Sequence, residues 1–126
     1  MPILGTGVDL AEVGRIERSL NIYGQRFQDR VFTSAEIAYC ERFRNRAERY
    51  AARFAAKEAG MKALGTGWRR GIRWQDIEVV RLPGGRPTIR FSGQAGRFAE
   101  QMGVKRVALS ITHTATQAFA QVILED

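Results

Sequence analysis

Residues 3 to 10 alternate in strand fashion, with Leu4, Thr6, Val8 and Leu10 on one side and Ile3, Gly5, Gly7 and Asp9 on the other. A helix is expected to follow from near Ala11 to about Leu20, because Val13, Ile16 and Leu20 recur on one face while Arg15 and Arg18 point away. After a loop carrying Arg26 and Phe27, Thr33-Ser34-Ala35-Glu36 has capping-box spacing and predicts a second helix through Cys40 toward Arg44. An alanine-rich helix comes next. Its strong helix formers run to about Leu64, and Gly65-Thr66-Gly67 supplies the stop. Tyr50, Phe54, Met61 and Leu64 form its apolar stripe. Further on, residues 77 to 82 and 87 to 91 flank Pro83-Gly84-Gly85, the pattern of a β-hairpin. Ser92 can cap a short helix bearing Ala95, Phe98, Ala99 and Met102, which Gly103 ends, and two strands, Arg106 to His113 and Gln117 to Leu124, close the chain.

These elements predict an α+β fold, a mainly antiparallel sheet packed against helices, in one domain spanning residues 1–126. No repeat, low-complexity tract or linker interrupts the pattern. With 44% hydrophobic residues the chain is long enough to bury a core. Twenty basic against 13 acidic residues leave a net charge of +7, so anionic partners are expected. Cys40 is the single cysteine, which excludes an intrachain disulfide and fits a reducing, cytoplasmic compartment. It falls among Ile37, Tyr39 and Phe43, where a buried bystander is expected and not a nucleophile. The N-terminal apolar stretch is short, broken by glycines and followed by Asp9 and Glu12, unlike a signal peptide or membrane span.

Chemistry concentrates in the alanine-rich helix. Only three of the basic residues are lysines, and two of them, Lys57 and Lys62, flank Glu58 there. An ammonium is a compact point charge suited to phosphate or proton transfer, whereas a guanidinium keeps its proton. Glu58 lies at the edge of the apolar stripe, between Phe54 and Lys62, and requires a cation, either Lys62 one turn on or a metal. Asp9, at the end of a glycine-rich strand, is the second acid out of place in a purely structural chain; its plain alternative is to cap the helix that follows. Together Asp9 and Glu58 can hold magnesium, which takes few carboxylates and keeps sites for water and substrate phosphate oxygens. His113, the only histidine, lies among the hydroxyls of Ser110-Ile111-Thr112-His113-Thr114 at a strand end, where imidazole, hydroxyl and amide groups can bind a terminal phosphate. The run Arg42, Arg44, Arg46, Arg49 and Arg53 reads as a solvated face whose last member adjoins the motif helix.

Six ordered segments carry a resemblance across nearly the whole chain. They are Gly7-Val8-Asp9-Leu10-Ala11-Glu12; Phe32-Thr33 with Glu36; Arg53-Phe54-Ala55-Ala56-Lys57-Glu58 with Lys62 and Gly65-Thr66-Gly67; Trp74-Gln75-Asp76-Ile77-Glu78-Val79; Gly85-Arg86-Pro87; and Ser110 to Thr114. With them the chain resembles the bacterial holo-[acyl-carrier-protein] synthases, the short class of 4′-phosphopantetheinyl transferases. The resemblance implies transfer of phosphopantetheine from coenzyme A to a serine of apo acyl carrier protein, with release of adenosine 3′,5′-bisphosphate. It further implies that Asp9 and Glu58 coordinate magnesium, that either helps deprotonate the serine, and that Lys62 stabilises or protonates the leaving group. By the same likeness Arg53, His113 and Thr114 belong near the 3′-phosphate and adenosine of coenzyme A, and Gly65, Thr66 and Pro87 to the pocket wall. Arg15, Arg18 and Arg26, with Phe27 as apolar anchor, are the docking residues expected for an acidic carrier protein. A homotrimer with sites between subunits is also implied. Gly60 departs from the pattern and, in mid-helix, marks close approach by a ligand or another chain.

The alternative from another class is a nucleic-acid-binding module, since a sequence pI near 10.5 and an arginine run can track phosphates. It leaves Asp9 and Glu58 without a purpose, and only Phe43 in the run 42 to 49 suits base stacking. The expectation is therefore an enzyme with neither nucleic acid nor membrane among its partners.

Overall fold

A computed structural model describes residues 2–66 and 71–126, so Gly67 of the expected helix stop lies outside the described residues. The element order is β1 (Ile3–Glu12), α1 (Val13–Tyr23), α2 (Gln25–Val31), α3 (Ser34–Cys40), α4 (Arg46–Leu64), a 3-10 turn at Trp74–Asp76, β2 (Ile77–Arg81), β3 (Pro87–Phe91), α5 (Gly93–Met102), β4 (Arg106–His113) and β5 (Gln117–Glu125). All strand pairs are antiparallel: β1-β5-β4 form one sheet and β2-β3 a second. The α+β class and its antiparallel sheet agree with the expectation.

Helix α4 is the axis of the molecule, packing against β1, β5, β2, α1 and α3. The single apolar stripe expected for it is too narrow a description. Ala51, Ala52, Ala55, Ala56, Ala59 and Ala63 are buried together with Tyr50, Met61 and Leu64, because small side chains let elements close on the helix from several sides. On β1 the glycines, not Val8 and Leu10, face α4. A Cβ on Gly5 would sit 2.1 Å from the Ala63 carbonyl oxygen, and one on Gly7 2.0 Å from that of Ala59. Only glycine permits this contact of strand on helix backbone. Gly60 on α4 likewise gives room to Ile77 and Ile89 of the β2–β3 hairpin, 3.1 Å from its would-be Cβ, so the close approach is made within this chain.

Several local expectations change. The segment bearing Arg26 and Phe27 is helix α2, and its carboxyl end is held from outside by the Gln75 side chain, which donates to the carbonyls of Asp29 and Arg30 at 2.6 and 2.8 Å. Asp9 caps nothing: β1 continues to Glu12, paired with Gln117, and Glu12 occupies the N-cap of α1. Ser92 is the N-cap of α5 without a side-chain hydrogen bond. The Thr33 and Glu36 capping box forms in both directions, and Gly65 ends α4 in left-handed geometry at φ 78°. Helix α3 stops at Cys40, whose thiol burial pushes up to about 12, as befits an inert core residue.

Candidate active site

The glycine contacts decide where Asp9 goes. Gly5, Gly7 and Asp9 alternate along the same side of β1, and their contacts step back along α4 from Ala63 to Ala59, so the strand that lies flush on the helix carries Asp9 toward Glu58 and within reach of Lys62. There Lys62 donates to Asp9 Oδ1 at 3.0 Å and to the Val8 carbonyl at 3.1 Å. Lys62, one of the two cations considered for Glu58, thus pairs with Asp9 across 53 residues of chain. Glu58, half-buried one turn before Lys62, lines a cleft of about 350 Å³ together with Asp9. Leu10, Arg15, Ile16, Phe27 and Phe54 complete much of its wall. Two carboxylates and an ammonium thus converge at a cleft that runs out between α1 and α2.

The donor chemistry suits magnesium. Carboxylate oxygens are hard ligands, and two of them leave positions for water and for oxygens of a phosphorylated substrate. No group of three or more histidine, cysteine or acidic side chains gathers as a metal cage among the described residues, so a closed protein-only site is not what this cleft resembles.

Of the expected docking residues, Arg15 and Phe27 line the cleft itself; Arg26 and Phe27 line an adjoining hollow with Ser19, Tyr23 and Arg30. Arg18 is exposed on α1. The expected coenzyme residues lie elsewhere on the chain. Arg53 is buried, its guanidinium 3.9 Å above the Tyr39 ring, and its Nε has no hydrogen-bond partner. Burial works against its charge. Arg49 stacks over Phe43 at 4.0 Å, so part of the arginine run packs on aromatic rings and is not a solvated face. Pro87 borders a different hollow, with Arg86, Thr88, Arg106 and Ser110. His113 meets Glu48 at 3.1 Å through Nδ1, and the Thr114 hydroxyl accepts from the amides of Thr116 and Gln117 in the β4–β5 turn. Gly65 is exposed and Thr66 buried at the end of α4.

Sequence reasoning missed the partners of these groups. Glu48 as the contact of His113 lies 65 residues away, beyond any local pattern. Phe54 carried a signal, four residues before Glu58 on the same face, yet stood only as a core residue; it both walls the cleft and stacks on Trp74 at 5.1 Å. Lys57, the other lysine of the motif, is wholly buried and donates at 2.6 Å to Glu36.

Paired acids and a lysine beside a half-apolar cleft suit an enzyme acting on a phosphorylated substrate, and comparison with known proteins gives the family. The sequence model of the 4′-phosphopantetheinyl transferase superfamily matches residues 5–120, and the chain belongs to that family. A holo-[acyl-carrier-protein] synthase of Solibacter usitatus is 64% identical over 124 residues, covering 98% of this chain and 99% of that protein. The crystal structure of the holo-[acyl-carrier-protein] synthase of Neisseria meningitidis superposes with a TM-score of 0.89 at 31% identity, covering 99% and 100% of the two chains. A Bacillus anthracis holo-(acyl-carrier-protein) synthase in complex with CoA (3′,5′-ADP) superposes at 0.78 with 35% identity, covering 97% and 96%. The resemblance read from the sequence is borne out.

Proposed function

We propose that this chain acts as a holo-[acyl-carrier-protein] synthase, transferring 4′-phosphopantetheine from coenzyme A to a serine of apo acyl carrier protein. The observation that carries the reading is the convergence of Asp9, Glu58 and Lys62 at a cleft walled by Arg15 and Phe27. In this reaction the serine oxygen forms a bond to the phosphorus that bears pantetheine, the bridging oxygen–phosphorus bond of the pyrophosphate breaks, and adenosine 3′,5′-bisphosphate leaves. Asp9 and Glu58 are the residues that would hold magnesium, which when bound would reduce the charge of the pyrophosphate and orient the electrophilic phosphorus. One of the two carboxylates takes the serine proton. Lys62, already at hydrogen-bond distance from Asp9, offers positive charge to the departing phosphate or a proton to its oxygen.

Arg15, Arg18 and Arg26 receive an acidic carrier protein, with Phe27 as apolar anchor at the mouth of the cleft. Arg53, His113 and Thr114 serve the 3′-phosphate and adenosine of the coenzyme; Gly65, Thr66 and Pro87 wall its pocket. A homotrimer brings these groups together. Its support is the outer face of the β1-β5-β4 sheet, where Val8, Leu10 and Phe119 are 47%, 56% and 42% exposed, with Leu10 and Phe119 paired across β1 and β5. An apolar sheet face of that kind is covered well by copies of itself. The cytoplasm suits the lone buried thiol.

The test is intact-protein mass spectrometry of an apo acyl carrier protein incubated with this protein and coenzyme A, with magnesium or with EDTA. A mass gain of one phosphopantetheine in the magnesium sample only is expected. Glu58→Gln keeps the shape and removes the charge, and is expected to abolish magnesium-dependent transfer with the fold retained; activity within a few-fold of the parent chain sinks the metal assignment. No transfer to several carrier proteins, together with salt-sensitive RNA binding, would favour the nucleic-acid reading instead.

A further inference from the structure

The motif lysine that takes no part in the cleft is, among the described residues, the most completely buried basic group. Lys57 and Glu36 are both 0% exposed at the side chain, with Nζ to Oε1 at 2.6 Å. Each oxygen of Glu36 is tied to backbone: Oε1 also accepts from the Thr33 amide at 2.8 Å, and Oε2 from the Val79 amide at 2.8 Å. The Thr33 hydroxyl donates in turn to Glu78 Oε2 at 2.8 Å, whose other oxygen receives Arg90 at 2.7 Å. The lysine is thereby fastened to the start of α3 and to the β2–β3 hairpin, none of which lines the Asp9 cleft.

Lys57 and Glu58 are adjacent on α4 and so point about 100° apart. One is anchored in the core and the other faces the cleft. Around them Ala55, Ala56, Ala59 and Gly60 pack closely but offer no large knobs, so the rotation of the helix here is set by Lys57 together with the larger Tyr50, Phe54 and Met61 that flank this stretch. A turn of about 20° would carry a group at the helix's outer radius of about 5–6 Å through about 2 Å. Misplacement of about 1 Å at a reacting centre can cost about 100-fold in rate.

We propose that the buried Lys57–Glu36 pair is a positioning device that sets the rotation of α4 and thereby holds the Glu58 carboxylate opposite Asp9. The inference rests on the role given to Glu58 above. A buried ion pair adds directional specificity where an apolar contact of equal volume would add only burial. Lys57 acts through Glu58 and touches neither substrate nor metal.

The double variant Lys57→Met with Glu36→Gln removes both charges while keeping the side-chain lengths, and glutamine remains a capping-box residue. With folding checked by circular dichroism, kcat is expected to fall at least tenfold while KM for coenzyme A and for carrier protein stays within threefold. Manganese binding in the presence of coenzyme A, followed by electron paramagnetic resonance, is expected to need at least tenfold more metal. Adding the double variant to Glu58→Gln should weaken manganese binding less than threefold beyond Glu58→Gln alone, since both act through one group. Glu36→Asp, which keeps both charges and shortens one arm, gives the same pattern at smaller size if the double variant does not fold. A folded variant with parental kcat and manganese binding overturns the proposal, and so do losses that multiply with that of Glu58→Gln. A Glu58→Gln chain that is itself fully active removes the role of Glu58, and the positioning role falls with it; an inactive one whose loss of manganese affinity multiplies with that of the double variant overturns the positioning alone.

Discussion

Replacing Gly7 by alanine adds one methyl group at the point where β1 crosses α4. Its carbon would stand 2.0 Å from the Ala59 carbonyl oxygen, 2.7 Å from the Ala63 nitrogen and 3.0 Å from the Ala59 carbonyl carbon. All three atoms are helix backbone, so no side-chain rotation relieves them. Restoring a carbon–oxygen contact of about 3.3 Å requires strand and helix to part by about 1.3 Å. Overpacking costs about 1–3 kcal/mol where neighbours can yield, and here the upper end, about 3 kcal/mol, is expected. Against a typical stability of about 5–15 kcal/mol the loss is severe, and at about 4 °C per kcal/mol it lowers Tm by about 12 °C. Asp9 lies two residues on along the same side of the strand and moves with it, so the folded fraction should also lose about tenfold or more in transfer rate. Urea unfolding at unchanged m value measures the first effect, and the carrier-protein mass shift at a temperature where the variant is folded measures the second. Gly14→Ala is the control: its Cβ would meet only Arg18 at 3.7 Å, on an exposed helical position, and should stabilise by about 0.5–1 kcal/mol. A Gly7→Ala chain within about 0.5 kcal/mol of the parent and fully active would refute the close-crossing argument.

The other expectations concern charge. Lys57→Met alone strands the Glu36 carboxylate in the core and should cost about 3–5 kcal/mol, far more than removing both partners, as thermal unfolding of the single and double variants will show. Acid stability depends in part on Glu41, which a hydrogen bond from Tyr50, with help from Arg46 and Gln28, holds below its ordinary 4.5. A carboxylate with a lowered folded value stabilises above its unfolded value and loses that contribution as pH falls through the folded one. Tm should accordingly drop as pH falls from about 5 through the lowered value, and Glu41→Gln should flatten that slope; an equally steep fall in the variant would exclude Glu41 as a source.

Much of this architecture was legible because its signals are local. The capping box at Thr33 and Glu36, the Pro83-Gly84-Gly85 turn and the closing strands each follow from residues within a few positions of one another. Helix α2 was not legible. It has no side-chain cap and buries only Val31 fully, and Gln75, 46 residues from Asp29, helps to hold its end. The site shows the same division. Asp9, Glu58 and Lys62 stood out by residue type and position, but the preference of Lys62 for Asp9 follows from the glycine crossing, which joins residues far apart in the chain. Lys57 shows the limit most plainly: its presence in the motif was visible, while its partner in α3 and its burial are products of tertiary packing.

Two of the three groups proposed for chemistry, Glu58 and Lys62, sit on α4, the element enclosed on several sides by the rest of the molecule, and the third, Asp9, on the strand packed flush against it. In hydrogen-exchange terms such a helix belongs to the last region to open, whose amides exchange only when the chain as a whole unfolds. The site is therefore built into the most persistent part of the structure and not onto a loop that melts first. As long as the assembly stays intact, heating or denaturant should leave no folded but inactive population: catalytic loss and the final exchange of the Ala55 to Ala63 amides should occur together.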